Sequence, residues 1–153
     1  MSEMADVLRE IGTIARALDS ISNIEFKQYE LTKGQYLYLV RICEHPGIIQ
    51  ERVADMLNVD RTTAARAIQK LTQNELIEKR MDENNKKNKQ LYPTAKRLKI
   101  FPIIQRENKY STGVALKGFT DEERKVAENL LSRMRKNVAT NWNYVKKGNQ
   151  RRY

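Results

Sequence analysis

The chain has 153 residues, with 29 Lys and Arg against 19 Asp and Glu, a formal charge of +10. A single cysteine and a single histidine exclude an internal disulfide framework, a zinc site built from several Cys and His, and catalysis that needs several histidines. The length suffices for a buried core, no apolar run approaches the ~18 residues of a bilayer span, and the acidic opening Met1–Asp6 has no signal-peptide apolar stretch, so the expectation is a soluble, cytoplasmic protein that spans no membrane and whose partner is a polyanion, the charge surplus favouring nucleic acid or an acidic membrane surface. Val7, Leu8, Ile11, Ile14, Ala15, Leu18 and Ile21 recur at steps of three and four, which predicts a long amphipathic helix over 5–26. Thr32 is placed to cap a second helix over 33–44, with Tyr36, Leu37, Val40 and Ile42 inward. Pro46-Gly47 ends it. A third helix spans 50–57 and buries Val53, Ala54 and Leu57. Asn58-Val59 turns the chain, and Asp60 caps a fourth helix over 61–73. Leu76–Met81 reads as a strand, Asp82-Glu83-Asn84-Asn85 as turn, and Lys89–Tyr92 as a second strand, so a β-hairpin with a basic tip follows. The helical period returns at Thr94 and lasts to about Lys117, with a kink expected at Pro102. Thr120 and Glu123 have capping-box spacing. They precede a last helix over 121–146 with Val126, Leu130, Leu131, Met134 and Val138 inward.

The charge is divided along the chain. Before Thr32, six acids stand against three bases. Between Lys79 and Lys99 there are eight bases, opposed only by Asp82 and Glu83. From Arg133 onward there are seven bases and no acid. The fourth helix gives the middle of the chain a target. At ~100° per residue, Ala64, Ala67, Ile68 and Leu71 share an apolar sector, while Thr62, Arg66, Gln69 and Gln73 project from the opposite side, flanked by Thr63 and Lys70. Such a face suits the major groove. Arg66 can take guanine O6 and N7, Gln69 an adenine edge, and Thr either bases or phosphates. The free N–H groups at Arg61, Thr62 and Thr63 suit a phosphate. Lys86, Lys87 and Lys89 at the hairpin tip can lie along phosphates or enter a minor groove. Helix, helix, turn, helix and hairpin make a winged helix-turn-helix: a mainly α fold with a small β-hairpin wing. No nucleophile–base pair, metal cluster or phosphate loop accompanies it, so no enzymatic activity, cofactor or metal is expected.

The run Leu31-Thr32-x-x-Gln35 begins a wider pattern, which continues as Val53-Ala54-x-x-Leu57-Asn58-Val59-Asp60-Arg61-Thr62-Thr63. Leu71, the Leu76–Arg80 strand, Thr94 and Gly118-Phe119-Thr120-x-x-Glu123-Arg124 complete it. Over roughly residues 5–140 the chain resembles the MarR family of bacterial winged-helix transcription regulators. The resemblance implies a homodimer in which the first and last helices of two subunits interlace. It divides the chain into an N-terminal dimerisation helix (1–30), a DNA-binding lobe (31–93), and C-terminal dimerisation helices with a basic tail (94–153). It also implies a pseudo-palindromic double-stranded operator and a repressor relieved by a small aromatic or phenolic effector. Such a ligand would meet Phe26, Tyr29, Tyr36 and His45. At the wing the sequence departs from the family. Asn85 and Lys87 stand where an Asp and an Arg are usual, which keeps the charge and removes the forked donor. Pro93-Thr94-x-x-Arg97 replaces the usual Leu-Thr-x-x-Gly after the wing. Cys43, beside Glu44, reads as a packing residue, and Trp142-Asn143-Tyr144 as dimer packing. An architectural DNA-binding or structured-RNA-binding protein shares the charge and the winged helix, but leaves the long terminal helices without a role.

Overall fold

The structure, a computed structural model, describes residues 6–84 and 89–153. The expected wing-tip contacts Lys86 and Lys87 lie outside the described residues, as does Asn85. The elements in order are α1 (Val7–Glu25), a 3₁₀ turn (Lys27–Tyr29), α2 (Gln35–Glu44), β1 (Ile48–Ile49), α3 (Gln50–Leu57), α4 (Arg61–Gln73), β2 (Ile77–Met81), β3 (Lys89–Pro93), α5 (Arg97–Ala115) and α6 (Asp121–Lys146). The chain is mainly helical with a small antiparallel sheet, the architecture of a winged helix-turn-helix carried between long helices. Among the described residues no helix is long and apolar enough to cross a membrane.

The second helix departs from expectation. Lys33 and Gly34 both have left-handed backbones (φ 58° and 75°), which a right-handed helix cannot include, so α2 starts at Gln35 and Thr32 is not its cap. The Lys33 N–H is donated to Asn23 Oδ1 instead. The buried stripe of α2 is accordingly Gln35, Tyr38, Leu39 and Ile42. Of the residues expected inward, Leu37 is exposed, and Tyr36 and Val40 are half-buried.

The wing also gains a strand. Ile48 pairs with Leu91 and Ile49 with Gln90, turning the hairpin into a three-stranded sheet in the order β1-β3-β2. Gly47 delivers the chain to this edge with φ 90°, donating its N–H to the Leu91 carbonyl at 2.8 Å. A Cβ there would stand 3.1 Å from the Tyr92 hydroxyl, so glycine suits the position on two counts.

Thr94 is held back from α5. Its hydroxyl donates to the Glu75 carbonyl at 2.6 Å and its N–H to the Leu76 carbonyl at 3.0 Å, and the helix begins at Arg97. α5 runs on through Pro102, which has no N–H for the Leu98 carbonyl. At α6 the expected capping box is present. The Glu123 N–H donates to Thr120 Oγ1 (3.1 Å), and the Thr120 N–H donates to Glu123 Oε1 (2.9 Å).

The buried apolar residues all fall between Phe26 and Ile104. Phe26, Leu31, Leu39, Ile42, Val53, Ile68, Leu71, Leu76, Ile77 and Leu91 are sealed from solvent, each such burial worth ~1.5–3 kcal/mol. The core therefore belongs to the lobe that carries α4. The outer helices contribute almost nothing to it. α1 buries only Ser22 and α6 buries no residue. Leu8 is 73% exposed, Ile24 79% and Val126 56%. The apolar face of α6 was expected inward, but within one chain Val126, Leu130, Leu131 and Val138 are exposed and Met134 only half-buried, because none of the described elements packs over that face closely enough to bury it.

Candidate nucleic-acid interface

α4 is mounted by its apolar side. Ala64, Ala67, Ile68 and Leu71 are buried against α2 and α3, and the small alanines let the helix seat closely. Asn58 ends α3 in the left-handed conformation (φ 53°) that Asn tolerates, and Asp60 starts α4 in extended geometry. The outward row is then fixed: Thr62, Arg66, Gln69, Lys70 and Gln73 are exposed, and their side chains make no hydrogen bond among the described residues.

Arg61 and Thr63 differ from that row. Arg61 Nη2 donates to Glu51 Oε1 at 2.8 Å, tying the start of α4 to the first turn of α3. Both side chains are well exposed, so the pair orients more than it stabilises, at ~0–1 kcal/mol. The Thr63 hydroxyl donates to Asp60 Oδ1, and this bond is the chief reason the Asp60 carboxyl is held below its usual range. Arg61 keeps further guanidinium donors and Thr63 its acceptor lone pairs, so each can serve a second partner.

The wing stands beside this face. The register sets Met81 against Lys89 and Lys79 against Leu91, so Lys79 and Lys89 share one face of the sheet. With Arg61, Gln50 and Glu51 they border a cleft of about 290 Å³ between the wing and α3. Lys79 was not among the residues singled out from sequence. Its signal lay in the two-residue period, once the hairpin register was known. Arg80, on the opposite face, is engaged within the chain. Its guanidinium lies 4.1 Å from the centre of the Tyr92 ring and its Nε donates to Glu78 Oε1 at 2.8 Å, which stiffens the base of the wing.

The four residues considered for an effector are only partly brought together. Phe26 is buried with its ring 5.4 Å from that of Tyr36, tilted by 59°. Tyr36 lines a cleft of about 500 Å³ between α2 and α5, with Arg41, Phe101, Ile104 and Gln105. Burial pushes the Tyr36 hydroxyl above its ordinary value, so it is a neutral donor at physiological pH. Tyr29 lies in the 3₁₀ turn and His45 is the exposed C-terminal cap of α2; neither lines this cleft.

Cys43 is half-buried, and burial raises its thiol to about 11, with Arg97 opposing and Glu44 reinforcing the shift. At pH 7 only about one thiol in ten thousand is then a thiolate. The expected outcome is slow labelling of native protein by iodoacetamide at pH 7, accelerating with pH up to about 11. A rate equal to that of a free thiol at neutral pH would contradict the packed environment.

A helix-turn-helix with a buried apolar side, an outward polar row and a three-stranded wing defines a winged-helix regulator. A MarR family model matches residues 31–89. The chain is 63% identical over 150 residues, 98% of this chain and 100% of the other, to YybA of Bacillus subtilis (strain 168), an uncharacterized HTH-type transcriptional regulator. Among solved structures it is similar to a SlyA-like transcription regulator from Listeria monocytogenes, with 59% identity and a TM-score of 0.94 over 98% of this chain and 100% of that one. A MarR family transcriptional regulator from Listeria monocytogenes complexed with a 26mer DNA gives 59% identity and a TM-score of 0.95 at the same coverage. The chain belongs to the MarR family of transcriptional regulators, whose members are DNA-binding proteins and not enzymes.

Proposed function

We propose that the protein is a homodimeric, sequence-specific DNA-binding repressor that reads a pseudo-palindromic operator and is relieved by a small aromatic or phenolic ligand. The observation that carries this reading is α4: an exposed, unengaged row of Thr62, Arg66, Gln69 and Gln73 on a helix whose opposite side is buried in the core. Arg66 and Gln69 read base edges. Lys70, Arg61, Thr62, Thr63 and the wing residues Lys79, Lys86, Lys87 and Lys89 hold phosphates. The 26mer DNA in the related Listeria structure supports the same partner for this chain.

The division of labour follows the core. The lobe over 31–93 reads DNA, while 1–30 and 94–153 pair two copies through the apolar faces that a single chain leaves open. A twofold dimer then presents its α4 helices to half-sites one helical turn, ~34–36 Å, apart. The cleft beside Tyr36 lies between α2 of the lobe and α5 of the dimerisation region. It offers a ligand aromatic walls and Arg41, whose Nε is buried with no hydrogen-bond partner among the described residues. A ligand seated there shifts the lobe spacing by no more than its differential affinity for the two arrangements.

The test is selection of bound duplexes from a random pool, followed by competition at ~0.15 M salt. A sequence-specific reader prefers its site over random duplex by ~10³ or more. Binding without preference would replace this reading with an architectural one.

A further inference from the structure

The basic end of the chain does not trail away from the fold. α6 ends at Lys146, and Gly148 turns the chain with φ 95°, its N–H donating to the Val145 carbonyl at 2.9 Å. The tail then doubles back along α6. Asn149 Nδ2 donates to the Tyr144 carbonyl at 3.0 Å, and Arg151 Nη1 donates to Asn141 Oδ1 at 3.0 Å. Lys147, Arg151 and Arg152 are thereby gathered, exposed, around the last turns of the helix.

Lys147 brings this helix end up to the recognition helix, while Arg151 and Arg152 border a separate hollow with Asn141, Tyr144 and Tyr153. Arg135, Asn143 and Lys147 form one wall of a cleft of about 810 Å³ whose other wall is the α3–α4 turn and the start of α4, Asn58 to Arg61. Lys146 Nζ bridges the two walls, 2.8 Å from Asp55 Oδ1. Two of the nearby acids are paired with bases, Asp55 with Lys146 and Glu51 with Arg61, while Asp60 keeps its charge and accepts the Thr63 hydroxyl. From Arg133 to Tyr153 there is no acid at all. Arg135 and Lys147 form no ion pair among the described residues and outnumber Asp60 along this cleft, so this edge of α4 is net positive.

We propose that the C-terminal end of α6 and its folded-back tail form a further DNA-backbone contact, in which Arg135, Lys147, Arg151 and Arg152 hold phosphates flanking the half-site read by α4, while Lys146, seated on Asp55, fixes the helix end against α3. The proposal rests on the DNA-reading assignment above. Backbone and not base contact follows from position and chemistry. The cluster stands outside the polar row that enters the groove, and its charged members are cations on long flexible stems, which suit phosphates more than base edges. Each phosphate neutralised adds affinity for any sequence and releases counterions.

The test is the full-length chain carrying Lys147→Gln, Arg151→Gln and Arg152→Gln together, titrated against the selected operator and a random duplex at several salt concentrations. All three side chains are exposed, so the fold is kept, which circular dichroism checks. The expected result is a roughly tenfold or greater loss of affinity for both duplexes alike at ~0.15 M salt, and a plot of log affinity against log salt shallower by about 2–3 for each subunit, about 5 for the dimer. The preference for operator over random duplex stays unchanged. Parent affinity and parent salt slope in the variant would overturn the proposal, and so would a loss confined to the operator. If the parent chain itself bound neither duplex, the DNA-reading assignment would fall and this contact with it, an outcome distinct from failure of the tail alone.

Discussion

Replacing Arg66 with alanine is expected to weaken operator binding by roughly 30-fold to 20,000-fold while changing binding to random duplex only a few-fold. The side chain stands in the middle of the exposed row on α4 and has no partner among the described residues. Its removal leaves nothing unpaired within the protein. Alanine is the best helix former, so α4 persists. A bidentate arginine–guanine contact carries ~1–3 kcal/mol of discrimination. A homodimer makes the contact twice, so ~2–6 kcal/mol is lost, at ~1.4 kcal/mol per decade of affinity. Random duplex loses only what one cation per subunit contributes to phosphate binding, and the salt slope drops by no more than that. Gel-shift titration of both duplexes measures the two numbers. Parent-like operator binding by the variant would show that the outer face of α4 does not read bases.

How legible each part was depends on how local its cause is. α4 was readable because its buried side is a three-and-four repeat of Ala64, Ala67, Ile68 and Leu71, and its neighbours in sequence are its neighbours in space. The α6 capping box was readable for the same reason, since Thr120 and Glu123 satisfy each other across one turn. β1 was not readable. Ile48 and Ile49 are too few to show an alternation, and they become a strand only because Leu91 and Gln90 offer a free edge. The start of α2 was hidden by Lys33, a non-glycine residue in the left-handed region, for which sequence gives little sign. In the candidate site, the outward row was legible, but the engagement of Arg61 was not, because Glu51 lies ten residues away on another helix. The ion pair of Asp55 with Lys146 spans 91 residues and leaves no local trace. The stripe on α6 shows the limit most plainly. A periodic pattern specifies that a face is apolar, not what covers it, and among the described residues of one chain nothing buries it.

That uncovered face carries the other large effect. Leu131→Asp is expected to convert a dimer into a monomer at micromolar concentration and to lower operator affinity by roughly 100-fold to 10,000-fold. Leu131 is 49% exposed and lies in an apolar groove of about 980 Å³ with Leu8, Ile11, Leu116, Met134 and Val138. α1 and α6 are helices of 19 and 26 residues with almost no burial of their own, and an amphipathic helix in water draws most of its stability from packing its apolar face. In the proposed dimer a second copy of the chain supplies that packing. An aspartate at the seam removes leucine burial and leaves a carboxylate in an apolar contact, and symmetry applies both costs twice. Together they come to at least about 5 kcal/mol, more than three decades in the dimer Kd. The lobe is unaffected, because Leu131 contributes nothing to a core that runs from Phe26 to Ile104. Sedimentation velocity reads the mass, circular dichroism the helix content, and gel shift the operator affinity. Leu131→Ala should move all three in the same direction by less. A variant that stays dimeric and binds like the parent would place the subunit contact elsewhere. The two substitutions also separate the two sources of affinity. Arg66→Ala keeps the dimer and loses the readout, whereas Leu131→Asp keeps the reading face and loses the second half-site, so both fail on the operator but only one changes mass.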